Sequence, residues 1–240
     1  MQTKIDAVVF DFDNTLTNTS KSIIRARKDV LAYIRKNHNI TEKAYMEALQ
    51  SAGDELKSRK YKDNAKLYDL LSEYAGLGLS KKETKECRRI FTESMLSHME
   101  FPKNIKKLFE WIKSRGLKIG ILTDNAMFPG SEYKKKRLAN LPAIDMVDIA
   151  VIATQTIPES KDTPKSFVKT AKMLGVSANK ILYVGDRPDK DIDNAKKAGM
   201  VAVLFEGFSK AQHNENLSKP DYTITDLSEL LKIIREHIDG

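Results

Sequence analysis

A short β-branched apolar run, Lys-Ile-Asp-Ala-Val-Val-Phe from Lys4 to Phe10, stands apart from every other strand-like segment. A purely helical stretch from Ser20 to about Met99 separates it from them. A single buried strand has no stability alone, because its backbone groups need neighbours on both sides. It must therefore pair with strands more than a hundred positions later, and that constrains the fold more than any other feature. The later segments supply such partners. Strand patterns at 117–122, 147–153, 180–184, 200–205 and 222–225 alternate with helical patterns near 103–115, 131–140, 164–174, 189–198 and 227–237. Short apolar strands alternating with helices of this length indicate βαβ units and a parallel sheet. The expected fold is α/β, a Rossmann-like parallel sheet, with the helical block inserted after its first strand.

Within the insertion, four helices are predicted at roughly 20–37, 41–59, 63–75 and 80–98. Thr41 and Ser80 suit N-cap positions, and Glu83 follows Ser80 at capping-box spacing. Gly53, Asn64 and Gly76-Leu77-Gly78 read as breaks. The domain expectation is 1–18 with 100–240 as the α/β unit and 19–99 as the all-helical unit.

Charge and cysteine content narrow the function classes. The 240 residues carry 41 Lys and Arg against 33 Asp and Glu, a net charge of +8. The cations are scattered, and the densest run, Lys134 to Arg137, has no aromatic platform beyond Tyr133; both read as solvated surface rather than a nucleic-acid face. No apolar stretch is long enough for a membrane span, and the N-terminus has no leader pattern. Cys87, the sole cysteine, cannot form an internal disulfide and sits in a helical pattern, which suits a structural thiol in a reducing, cytoplasmic setting. His38, His98, His213 and His237 lack metal-ligand spacing, and Trp111 shares core spacing with Leu108 and Ile112. Met95, Leu96 and Met99 read as packing of the helical unit.

In an open parallel sheet, ligands bind beyond the carboxyl ends of the strands. Strand one ends in Asp11-Phe12-Asp13-Asn14-Thr15-Leu16-Thr17 and strand two in Thr123-Asp124-Asn125. The stretch after strand three reaches Lys161, and strand four ends in Gly185-Asp186 with Asp191 five residues on. Carboxylates gathered on one rim repel each other unless a cation neutralises them. Mg²⁺ is the natural partner, taking oxygen ligands from one or two carboxylates and a phosphate. A carboxylate attacking phosphorus divides one hard hydrolysis into two easier steps. Thr123 and the backbone after it, with Lys161, could then hold the phosphoryl group.

These four strand ends, in this order, resemble the motifs of the haloacid dehalogenase superfamily: Asp11 to Thr17, Thr123, Lys161-Asp162-Thr163-Pro164, and Val184-Gly185-Asp186 through Asp191. Within it, the chain resembles the phosphoglycolate phosphatase-like branch, with its inserted helical cap. The resemblance implies that Asp11 is the nucleophile and a metal ligand. It implies that Asp13 is the acid/base, giving its backbone carbonyl to the metal. Asp186 would be the third protein ligand, and Asp191 would ligate or hold metal-bound water. Thr123, Asp124 and Asn125, the latter two through backbone, and Lys161 would bind substrate. As the family is known, dehalogenases lack an acid at position 13, so Asp13 argues for phosphoester chemistry.

The resulting expectation is a Mg²⁺-dependent phosphatase of a small phosphorylated metabolite, monomer or homodimer, with no nucleic acid or membrane partner. A sugar phosphomutase and a non-catalytic phospholigand-binding protein remain alternatives. Three positions depart from the pattern. Asp162 and Thr163 stand where many relatives have Pro and Asp, although Thr163-Pro164 still suits a helix start. Asp124 adds a carboxylate beside the phosphate, and Arg187 replaces a small residue, read here as solvated or paired with a nearby acid. Arg25, Lys57, Arg59 and Lys60 could meet a substrate's distal charge but equally suit solvated helix faces.

Overall fold

The computed structural model describes residues 4–58, 66–125, 131–208, 210–211 and 214–238. Asn64, Arg59, Lys60 and His213, and the side chain of Lys57, lie outside the described residues.

The isolated first strand finds the partners its composition demands. β1 (Ala7–Phe10) lies between β2 (Lys118–Thr123) and β4 (Ile181–Gly185). β3 (Ile149–Ile152) flanks β2, while β5 (Val201–Phe205) and β6 (Tyr222–Ile224) continue the sheet beyond β4. All five pairings are parallel, in the order β3-β2-β1-β4-β5-β6. The chain moves outward on one side of β1, then returns to the other side, so a topological switch point lies at β1. Parallel strands covered on both faces read as continuous apolar runs, and every residue of β1 is buried.

The pleat sends alternate residues to opposite faces. Ala7, Val9, Ile181, Tyr183, Ala202 and Leu204 meet Phe167, Ala171 and Leu174 of α7 (Pro164–Leu174) in one core. Phe10 packs against Phe109 of α5 (Ile105–Ser114), ring centres 5.4 Å apart. α7 stops at Gly175, whose φ of +69° is the left-handed C-terminal geometry glycine supplies. Thr163 precedes α7 but does not cap it; its hydroxyl donates to the Ser160 carbonyl, 3.3 Å away.

Trp111 corrects its sequence reading. The buried stripe of α5 is Ile105, Leu108, Phe109 and Ile112, and Trp111 lies at the stripe's edge, half-buried. Its ring is flanked by the guanidinium groups of Arg115 at 5.2 Å and Arg235 at 5.4 Å. Cation–π contact holds an indole at a wet boundary as readily as core packing does. Arg235 belongs to α9 (Leu230–Ile238), which also carries the buried His237, 3.2 Å from the Tyr222 hydroxyl.

The chain divides into two compact units. One comprises 1–19, 100–125 and 138–240 and holds the sheet; the other comprises 20–99 with 126–137. The second contains α1 (Thr19–Ile34), α2 (Glu42–Ser58), α3 (Leu67–Tyr74), α4 (Lys81–Ser97) and most of α6 (Ser131–Ala139). Val30 and Ile34 of α1, Tyr45, Ala48, Leu49 and Ala52 of α2, Tyr68 and Leu71 of α3 and Cys87 of α4 share one core. Their i, i+3, i+4 spacing is what places them on inward faces. Ser80 and Glu83 form the expected reciprocal capping box, and the Thr41 hydroxyl accepts from the Ala44 N–H. Gly53 does not break the chain but sits inside α2. A glycine costs a helix only about 1 kcal/mol relative to alanine, less than the burial of the Tyr45–Ala52 stripe returns. Cys87 is fully buried, and burial pushes its thiol up to about 12.

The inclusion of α6 in the helical unit differs from the sequence division at 99/100. Tyr133 packs with Ala26 and Met95, which accounts for the grouping. It also corrects half of the reading of the basic run: Lys135 and Lys136 are exposed as expected, but Lys134 and Arg137 are buried, with the Arg137 guanidinium 5.9 Å from the Tyr133 ring centre. Long basic side chains bury their stems on apolar surface, which a count of charges does not reveal. Among the described residues no helix is long and apolar enough to cross a membrane.

Candidate active site

Sheet register brings the first two acids together. Phe10 lies opposite Val184, and the Asp11 N–H donates to the Val184 carbonyl at 2.8 Å. Asp11 and Asp186 therefore leave neighbouring strands at the same edge, where the strand order reverses. Asp191 joins them by a different route. Pro188–Ile192 forms one π-helical turn before α8 (Asp193–Lys197), where the sequence suggests one uniform helix. Such bulges are frequent at functional sites because they re-aim a side chain. Here the turn sends the Asp191 carboxylate back toward β4, where it accepts from the Tyr183 hydroxyl at 3.0 Å and the Arg187 N–H at 2.9 Å. Carboxylate oxygens of Asp11, Asp186 and Asp191 lie within 4.8 Å of one another.

Lys161 reaches the same point from the segment before α7. Its ammonium contacts Asp11 and lies 2.6 Å from Asp191, with all three side chains almost fully buried. Burial disfavours the Lys161 charge, but Asp11 and then Asp191 outweigh it and hold the group well above its ordinary basicity. Burial raises Asp11, opposed by Lys161 and reinforced by the neighbouring carboxylates. Asp186 is pushed up to about 7, by burial first and Asp191 second. Ionised together, three carboxylates facing one ammonium would carry two uncompensated negative charges. All-oxygen donors at this spacing suit a hard divalent cation, so the residues fit such a metal.

Asp13 stands outside the triad. Asn14, at a φ of +57°, turns the chain tightly so that its N–H donates to the Thr17 carbonyl at 2.7 Å. Asn tolerates that left-handed geometry better than most residues. The turn leaves Asp13 half-exposed, accepting from the Thr19 hydroxyl at 2.7 Å. Thr123 is buried at the end of β2, its hydroxyl in a long 3.5 Å contact with the Asp124 carbonyl. The Asp124 carboxylate faces Lys190 at 3.2 Å. Asn125 is half-buried, and its Oδ1 has no hydrogen-bond partner among the described residues. Arg187 forms a two-pronged pair with Asp189, its Nε 3.1 Å and Nη2 2.6 Å from the carboxylate oxygens. A cleft of about 760 Å³ opens beside Asp186, lined by Arg187, Asp189, Lys210 and Leu217 among others.

The sequence reading did not single out Tyr183, Thr19 or Lys190. Tyr183 sits in an apolar strand and reads as core; its one legible signal is a hydroxyl that must find a partner when buried.

In sequence and fold the chain resembles known proteins. The model of the haloacid dehalogenase-like hydrolases matches residues 8–205. The chain belongs to that family. It is 31% identical over 233 residues to a glyceraldehyde 3-phosphate phosphatase of Methanocaldococcus jannaschii, covering 96% of this chain and 97% of that one. It is 26% identical over 235 residues to the pyrophosphatase PpaX of Bacillus mycoides, covering 96% and 97%. The crystal structure of a 2-haloacid dehalogenase from Pseudomonas syringae shares the fold, with a TM-score of 0.69 at 21% identity over 97% of this chain and 99% of that one.

Proposed function

We propose that this chain is a Mg²⁺-dependent phosphatase that hydrolyses a small phosphorylated metabolite through an aspartyl-phosphate on Asp11. The observation that carries the reading is the placement of the Asp11 carboxylate at the switch point of the sheet. There it is held by Lys161 and crowded by Asp186 and Asp191.

Each residue has a task that its position supports. An Asp11 oxygen forms a bond to phosphorus while the bond from phosphorus to the leaving oxygen breaks. Asp13, one turn away and open to solvent, gives its proton to that oxygen. In the second step Asp13 takes a proton from water, whose oxygen attacks phosphorus and frees Asp11 and inorganic phosphate. Lys161 fixes the direction of Asp11 and faces the transferring charge, and Thr123 with the backbone of Asp124 and Asn125 lines the opposite side. Asp186, Asp191 and the Asp13 carbonyl would hold the metal with Asp11. When bound, Mg²⁺ screens the approach of a carboxylate to an anionic phosphate. Ordered charges of this kind supply much of the acceleration phosphate monoesters need, up to about 10²¹-fold.

The relative from M. jannaschii, similar along nearly its whole length, supports a three-carbon phosphate ester such as glyceraldehyde 3-phosphate as first choice. Asp13 supports phosphoester rather than carbon–halogen chemistry. The test is phosphate release from a panel containing glyceraldehyde 3-phosphate, sugar phosphates and pyrophosphate, with Mg²⁺ or with EDTA. Release from one or more esters, abolished by EDTA and restored by Mg²⁺, is expected. No release from any ester, or release indifferent to EDTA, would overturn the reading.

A further inference from the structure

Two carboxylates at the rim have no role in that chemistry and stand where they would oppose it. Asp124 follows Thr123, and Asp162 follows Lys161, so each is one residue from a group assigned to the phosphoryl group. A fixed negative charge there repels a phosphate dianion.

Both carboxylates converge on one cation. The ammonium of Lys190 lies 3.2 Å from an Asp124 oxygen and 2.7 Å from an Asp162 oxygen. Its side chain is three-quarters buried, although Asp162 itself is mostly exposed. Lys190 occupies the π-helical turn immediately before Asp191. It thus links the end of β2, the segment carrying Lys161 and the turn that aims Asp191; the Asn194 amide also bridges the last two by donating to the Lys161 and Lys190 carbonyls. Burial works against the Lys190 charge, but Asp162 and Asp124 hold it above its ordinary basicity. Asp162 is in turn lowered, chiefly by Lys190.

We infer that Lys190 is a positioning residue that binds Asp124 and Asp162 together and offsets one of their two charges, lowering a repulsion that would otherwise weaken phosphate binding at the rim. The inference rests on the phosphatase reading for where the phosphoryl group sits. It also explains how this chain tolerates acids at two positions that depart from its family's pattern: a shared ammonium holds both carboxylates and reduces their two charges to one.

Charge compensation and simple bracing make different demands. If Lys190 acts by its charge, removing the two carboxylates as well should repair its loss; if it merely braces the loops, removing them should not. The experiment is calorimetric titration with orthophosphate in Mg²⁺, alongside steady-state kinetics and thermal melting, for the wild type and three variants. These are Lys190→Arg, Lys190→Met, and Lys190→Met combined with Asp124→Asn and Asp162→Asn. Lys190→Met is expected to weaken orthophosphate at least about tenfold, as like charges without a counterion do, and to raise KM more than it lowers kcat. Lys190→Arg should stay close to the wild type, and the triple variant should regain most of the lost affinity. Lys190→Met binding like the wild type, or a triple variant as weak as Lys190→Met, would overturn the inference. A wild type that binds orthophosphate yet hydrolyses no ester would sink the phosphatase reading alone, because the titration does not depend on turnover.

Discussion

Asp191 rests against Gly185 so closely that a Cβ on the glycine would lie 2.4 Å from the Asp191 carboxyl carbon. The close approach lets Asp191 receive the Tyr183 hydroxyl and the Arg187 N–H while facing Lys161. Gly185→Ala must push the carboxylate away, since nothing in the buried strand can yield. A misplacement of about 1 Å near reacting groups costs on the order of 10²-fold in rate, and overpacking costs about 1–3 kcal/mol in stability. Both losses are expected, in kcat and in urea denaturation. An alanine variant as active and stable as the wild type would show that the contact carries no constraint.

Lys161 is the buried counterion of Asp11 and Asp191. Its truncation leaves two carboxylates facing each other without compensation, and breaking a buried pair in this way costs about 3–5 kcal/mol. Lys161→Ala should lose stability in that range in urea denaturation with EDTA present, and part of the loss should return with Mg²⁺. A variant as stable as the wild type in EDTA would mean that the triad is not charged as described.

Glu83 links pH to the helical unit. Its carboxylate accepts from Ser80 at the start of α4 and lies 2.9 Å from a His38 ring nitrogen. These partners, His38 first, lower it from the usual 4.5 to about 2. A group lowered in the folded state adds stability above its unfolded pKa, and that contribution disappears as pH falls toward the folded value. Stability from Glu83 should thus be complete above about 4.5 and lost by about 2. Glu83→Gln keeps the capping geometry but not the charge, so melting of the two proteins should differ at neutral pH and converge in acid. A constant difference across that window would contradict the assignment.

The α/β unit was legible in the sequence because parallel buried strands are nearly continuous apolar runs. The helical start at Ser80 was legible because its cap is local. The approach of Asp11 and Asp186 was legible because strand ends fix where side chains emerge. Elsewhere the deciding contacts are distant in sequence. Trp111 looks like core until Arg235, from the last helix, flanks it. Lys134 and Arg137 look solvated until Tyr133 packs with Ala26 and Met95. Lys190 looks like one more surface lysine, because its partners Asp124 and Asp162 come from two other loops. The π turn at Pro188–Ile192 carries the same lesson, since no spacing rule separates it from an ordinary helix start.

A carboxylate oxygen of Asp11 is the atom proposed to attack phosphorus. Comparing phosphate release by wild type and Asp11→Asn, under Mg²⁺ and on the best ester of the panel, addresses this directly. Asn is nearly isosteric but cannot supply the carboxylate, so a fall of at least about 10³-fold in kcat is expected, with the folded structure retained by circular dichroism. Turnover by Asp11→Asn close to the wild-type rate would contradict the account.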